Sequence, residues 1–140
     1  MKPRNKHQSI KLNQKSKQDP DHYHIHARVW INKGDKSFLG QGRIHLLELV
    51  DRFGSISEAA RAMKMSYRHA WELVDSMNQQ APQPLVKKTT GGKGGGGTQL
   101  TPIGKTVLTL YKDAQQKIDS LLTELEKKLN SEFQKLREDT

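Results

Sequence analysis

Between Tyr23 and Ile31 the chain alternates. Tyr23, Ile25, Ala27, Val29 and Ile31 fall on one side, and His22, His24, His26, Arg28 and Trp30 on the other. A period of two predicts an extended strand. Asn32-Lys33-Gly34-Asp35-Lys36 reads as a turn, and residues 37–40 as a short strand pairing back into a hairpin. The rhythm then lengthens. Ile44, Leu47 and Val50, with Leu46, Leu49 and Phe53 beside them, make a helical stripe over 42–53, and Gly54 ends it. Ser55 stands three residues before Glu58, the spacing of a capping box, and opens a slim helix carrying Ala59, Ala60 and Ala62. Ser66 caps a second helix running to about Gln79, which Pro82 and Pro84 keep from extending.

The rest of the chain follows two further patterns. Residues 85–90 and 98–101 extend on either side of Gly91-Gly92-Lys93-Gly94-Gly95-Gly96-Gly97, giving a hairpin with a basic, glycine-rich tip. Thr101 then caps a helix with Pro102 in its first position, where proline is favoured. Apolar residues recur at three- and four-residue steps from Ile103 to Leu136. A helix of about 35 residues is about 50 Å long, too long to be covered by its own small domain. Its far half, with Ile118, Leu121, Leu125, Leu129 and Phe133, therefore predicts a helix–helix seam. The expected fold class is mainly α with small β hairpins, divided into a basic arm (1–20), a winged helix-turn-helix domain (21–101) and a long dimerisation helix (102–140).

Charge sharpens this picture. The net charge is +9, and its distribution is uneven. Residues 1–20 carry six Lys and Arg against one Asp, residues 21–100 eleven against seven, and residues 101–140 seven against seven. The basic surface belongs to the first hundred residues, which suits a polyanion. The first twenty hold only Ile10 and Leu12 as aliphatics beyond Met1, too few to offset chain entropy. They read as a disordered arm, either a plain solvated tail or a source of non-specific phosphate contacts. There are no cysteines, so disulfides and thiolate-bound zinc are excluded. No apolar run is long enough to span a membrane. The expected location is the cytoplasm, at the nucleoid.

Helix, tight turn, helix and basic hairpin are the parts that reading DNA requires. At 100° per residue, Ala70, Leu73, Val74 and Met77 face inward on the second helix, and Arg68, Glu72 and Asp75 face out. Ser66, Tyr67, Arg68 and His69 open that helix with hydrogen-bonding groups, and Ser55, which caps the helix before it, is a DNA-binding candidate with them. Arg68 is the candidate for a bidentate contact to guanine, its bland alternative being a solvated charge. Trp71 sits at the edge of the packed face, where packing and DNA contact are both open to it. Lys87, Lys88 and Lys93 would meet phosphate from the hairpin. The glycine loop lacks the Lys-Ser/Thr pair and following helix of a nucleotide-binding loop. His22, His24 and His26 share one face. Metal ligation is one reading, but the wet side of a strand looks the same, so no metal site is assigned. No residues are grouped for catalysis, and neither enzymatic activity nor a cofactor is expected.

Gly54-Ser55-Ile56-Ser57-Glu58-Ala59-Ala60, Met65-Ser66-Tyr67-Arg68-His69-Ala70-Trp71, the run Gly91–Gly97 and Leu100-Thr101-Pro102-Ile103-Gly104 together resemble the N-terminal domain of ModE-type molybdate-responsive regulators, themselves similar to the LysR-type winged helix. The resemblance covers about residues 26–116. It implies a homodimer on double-stranded DNA, with the long helix as dimer seam, residues 66–69 opening the recognition helix, and Lys88 and Lys93 on the wing. Full-length members continue into a molybdate-binding domain. This chain ends at Thr140, so that domain, and with it an oxyanion effector, is not expected. A sequence-specific regulator is the leading reading. A non-specific architectural DNA binder and an interaction module built on residues 118–136 are the alternatives.

Overall fold

The structure is a computed structural model that describes residues 19–90 and 97–139. Residues 1–18 of the arm, and the wing tip with Lys93, lie outside the described residues. The elements are β1 (Ile31–Lys33), β2 (Lys36–Leu39), α1 (Gln41–Phe53), α2 (Ile56–Ala62), α3 (Tyr67–Gln80), β3 (Val86–Thr89), β4 (Gly97–Leu100) and α4 (Pro102–Glu138). The chain is mostly helical, with two antiparallel hairpins, β1–β2 and β3–β4. The contacts of the described residues fall into two compact units: residues 29–115, and residues 19–28 together with 116–139.

In the 29–115 unit, α1 is central. Ile44, Leu46, Leu47, Leu49 and Val50 are buried on it. Gly54 ends it with φ 68, donating its N–H to the Val50 carbonyl at 2.8 Å. A left-handed residue at that place is cheap only for glycine. Ala59 and Ala60 of α2 and Ala70 of α3 are buried in the same core. Three methyl side chains at the crossing let the two helices approach closely. Leu85, Val86 and Leu100 close the core from the second hairpin. Phe53, at the end of the α1 stripe, is instead 45% exposed.

The predicted long strand over 23–31 is corrected. Only Ile31–Lys33 pairs, with Lys36–Leu39, across a two-residue turn that begins at Gly34 (φ 61). The partner strand has four residues before Gly40 and α1 begin, so the rest of the segment has nothing to pair with. Residues 23–30 run without strand partners, and in the other unit the backbone N–H groups of Tyr23 and Ile25 donate to side chains on α4. The alternation was real, but it does not mark a sheet.

Tyr111, buried on the first part of α4, donates its hydroxyl proton to the Val29 carbonyl at 2.8 Å. Burial raises its pKa above the ordinary tyrosine value. A phenol that ionises later in the folded state than in the unfolded one stabilises the fold fully below the unfolded pKa. That contribution is lost as pH rises through the folded pKa. Tyr111→Phe is expected to cost about 1 kcal/mol at neutral pH. It should also flatten the fall in stability above about pH 10 relative to wild type. Urea melts of both proteins between pH 8 and 11 measure this, and parallel curves would refute it.

Candidate nucleic-acid interface

Two serines set the helix-turn-helix. Ser55 Oγ accepts from the Glu58 N–H and Ser66 Oγ from the His69 N–H, both at 3.1 Å. Each satisfies one of the orphan donors of a first helical turn. Both hydroxyls are thus committed as cap acceptors and keep an O–H to donate. Lys64 turns the chain between the helices with φ 57, a left-handed conformation that L residues other than Asn and Asp adopt rarely.

On α3 the inward face is Ala70, Val74 and Met77, all buried, with Leu73 half-buried. The outward face begins at the first turn. Ser66, Tyr67, Arg68 and His69 are exposed, and Tyr67 and Trp71 show 56% and 45% of their surfaces. Trp71 is therefore largely a surface residue. The Arg68 side chain is 89% exposed, and its Nε lies 3.2 Å from Glu72 Oε1. A pair this exposed contributes little to stability. Its effect is to park the guanidinium along the helix.

Two residues that sequence reasoning passed over hold α3 in place. Arg43 of α1 donates to the Phe38 carbonyl at 3.0 Å and to Ser76 Oγ at 3.2 Å, tying β2 to α3. Burial lowers its pKa from the usual arginine value, yet a guanidinium stays charged under such a shift. Asn78, near the end of α3, accepts the N–H groups of Leu85 and Val86 at 2.8 and 3.1 Å and donates to the Val86 carbonyl at 3.0 Å. One amide thereby fixes where the wing begins. Neither residue has a helical signature, because the partners lie off its own helix, five to eight residues away for Phe38, Leu85 and Val86 and 33 for Ser76.

The wing itself is β3 and β4, in register from Val86↔Leu100 to Thr89↔Gly97. Thr98 N–H donates to the Gly54 carbonyl at 2.8 Å, which pins β4 to the turn after α1. Thr101 N–H donates to the Leu85 carbonyl at 2.9 Å, and Thr101 Oγ1 accepts from Gly104 N–H at 3.1 Å as the cap of α4. Lys87 and Lys88 are exposed on β3 and line a shallow open depression with Thr89, Thr90 and Gln99. The 29–115 unit thus holds an exposed α3 turn rich in hydrogen-bonding groups and a lysine-bearing wing strand. Of the residues expected at the seam, Leu121 and Leu125 are exposed, whereas Ile118, Leu129 and Phe133 are half-buried. Phe133 meets the Tyr23 ring edge-on at 4.8 Å.

The architecture is that of a winged helix-turn-helix. The bacterial regulatory helix-turn-helix pattern of the lysR family matches residues 42–105, from α1 into the first turn of α4. This chain therefore carries a LysR-type helix-turn-helix domain. Its relatives include the molybdenum transport protein ModE of Azotobacter vinelandii, 40% identical over 104 residues, which is 74% of this chain and 38% of that protein. The DNA-binding transcriptional dual regulator ModE of Escherichia coli (strain K12) is 40% identical over 92 residues, 64% of this chain and 35% of its own length. The molybdenum-pterin-binding protein MopB of Rhodobacter capsulatus is 41% identical over 92 residues, covering 66% and 34%. The chain thus spans little more than a third of these relatives.

Proposed function

We propose that this chain is a sequence-specific regulator that binds double-stranded DNA as a homodimer. In this reading α3 enters the major groove by its first turn, where Arg68 reads a base and Ser66, Tyr67, His69 and Trp71 support it. Lys87, Lys88 and Lys93 of the wing meet flanking phosphates. The observation that carries the reading is the LysR-type domain whose α3 buries Ala70, Val74 and Met77 and leaves its opening turn exposed. Its relatives are described as a DNA-binding dual regulator and a molybdenum transport protein. The DNA role is the part this chain's own residues support.

Self-association is favoured by the far half of α4. At 100° per residue, Ile118, Leu121, Leu125, Leu129 and Leu136 lie within an arc of about 80°. Leu121, Leu125 and Leu136 are 54%, 43% and 64% exposed. An apolar stripe of this kind on a segment of balanced charge suits a second copy of the same helix. Among the described residues no helix is long and apolar enough to cross a membrane.

The test is a titration of a preferred duplex against a scrambled one over a range of salt, with the mass of the free protein measured alongside. The regulator reading expects a dimer and a preference of at least about a thousandfold at physiological salt. Lys88→Ala and Lys93→Ala should each lower the slope of log K on log salt by about one while leaving the sequence preference intact. A preference near one would leave a DNA-coating protein, and a stable monomer would remove the dimer.

A further inference from the structure

Residues 19–28 and the far part of α4 form a unit of their own, and its centre is chemical rather than apolar. The Tyr23 N–H donates to Asn130 Oδ1 at 2.8 Å, Asn130 Nδ2 donates back to the Tyr23 carbonyl at 2.9 Å, and Ile25 N–H donates to Glu126 Oε1 at 2.7 Å. These bonds grip the extended segment at alternate residues. His22 and His24, on the opposite phase of that alternation, are brought to Glu126. One ligand atom from each of the three lies within 4.8 Å of the others.

Two ring nitrogens in this group lack a well-formed hydrogen bond. His24 Nδ1 is buried with no hydrogen-bond partner among the described residues. It faces Glu126 Oε1 at 3.9 Å, too far for a hydrogen bond. His22 Nε2 lies 3.4 Å from Asn130 Nδ2. An amide nitrogen has two protons to give. Those of Asn130 already go to the Tyr23 carbonyl at 2.9 Å and the Glu126 carbonyl at 2.7 Å. The imidazole nitrogen is left with only the long 3.4 Å contact. In the tautomers that leave these two nitrogens unprotonated, two imidazole lone pairs stand beside a carboxylate only 17% exposed, a donor set of the kind a cation takes.

We infer that His22, His24 and Glu126 form a binding site for a divalent transition-metal ion of the zinc class. Imidazole and carboxylate ligands suit such an ion, and two histidines with one glutamate are a known zinc set that leaves a fourth position open. Around a tetrahedral zinc, ligand atoms sit about 3.3 Å apart, given Zn–N and Zn–O bonds near 2 Å. Binding would require the three half-buried side chains to rotate so that the present spacing, within 4.8 Å, closes to that value. Asn130 serves as the outer support, since it holds the backbone that carries His22. A bound ion would clamp residues 22–25 onto α4. Sequence alone could not separate this from a wet strand face, because Glu126 lies about a hundred residues away. The structure also separates His26, which is exposed, from the other two, with its ring 6.3 Å from that of His24.

The test is calorimetric titration of the metal-stripped full chain with Zn²⁺, with Co²⁺ as a spectroscopic probe. The expected result is one ion per chain and the visible absorption of four- or five-coordinate cobalt. His24→Ala and Glu126→Gln should each weaken binding by more than about a hundredfold, since losing a ligand exceeds the effect of losing an outer partner. His26→Ala should leave it unchanged. Circular dichroism of each variant shows that α4 persists, and the wild-type cobalt spectrum stands even if a variant fails to fold. Absence of heat and of a cobalt spectrum would overturn the proposal, as would binding that survives both ligand substitutions or falls equally with His26→Ala.

Discussion

Gly104→Ala is expected to destabilise the 29–115 unit by about 3 kcal/mol, overpacking of a closed site costing roughly 1–3 kcal/mol and occasionally more. Helix propensity argues the other way: alanine gains about 1 kcal/mol over glycine inside a helix. The local geometry decides the sign. Gly104 is buried in the first turn of α4, and a Cβ there would run into the carbonyl of Leu85. That oxygen already accepts the Thr101 N–H at 2.9 Å. Val86, the next residue, is tied to Asn78. The obstacle is backbone held from two sides, so neither α4 nor the wing can move without breaking hydrogen bonds. A urea melt of Gly104→Ala should show a lower midpoint with an unchanged slope. A higher midpoint would mean that α4 and Leu85 do not approach as closely as described.

Arg68→Ala is expected to cost about 1–3 kcal/mol of affinity for the preferred site and to relax the preference at one base pair. The variant should be almost neutral for stability, because the pair with Glu72 is solvent-exposed. The same pair gives a second, opposite prediction. Glu72 holds the guanidinium at 3.2 Å and sets a negative charge on the outward face of α3. Glu72→Ala frees Arg68 and removes repulsion from phosphate, so it should tighten binding to all duplexes. Equilibrium titration of both variants on preferred and scrambled DNA separates these effects. If Arg68→Ala weakens both duplexes equally, Arg68 is a phosphate contact and α3 is not read as proposed.

Much of the fold was legible because its signals are local. The stripe over α1, the serine caps at Ser55 and Ser66, and the Thr101-Pro102 start of α4 each depend on residues within a turn of one another. The inward face of α3 followed from helical periodicity, and Ala70, Val74 and Met77 are indeed buried. What failed was tertiary. Alternation over 23–31 is compatible with any extended backbone, and nothing in it says whether a neighbouring strand exists. Here the N–H groups of Tyr23 and Ile25 go to Asn130 and Glu126, over a hundred residues on. The same holds for Arg43 and Asn78, polar residues on helices that would ordinarily face solvent. Their value lies in the carbonyl of Phe38 and the backbone of Leu85 and Val86. Exposure of Trp71 was undecidable from its place at the edge of a stripe.

If α3 reads sequence, two copies on the dimer read it together. The most direct measurement is selection of bound duplexes from a random library by the full chain at about 150 mM salt, where non-specific phosphate binding is weakened. An inverted repeat should be enriched, and one selected position in each half should be lost when the selection is repeated with Arg68→Ala. Binding without enrichment would contradict this, leaving a basic winged module with affinity for DNA and no preference among sequences.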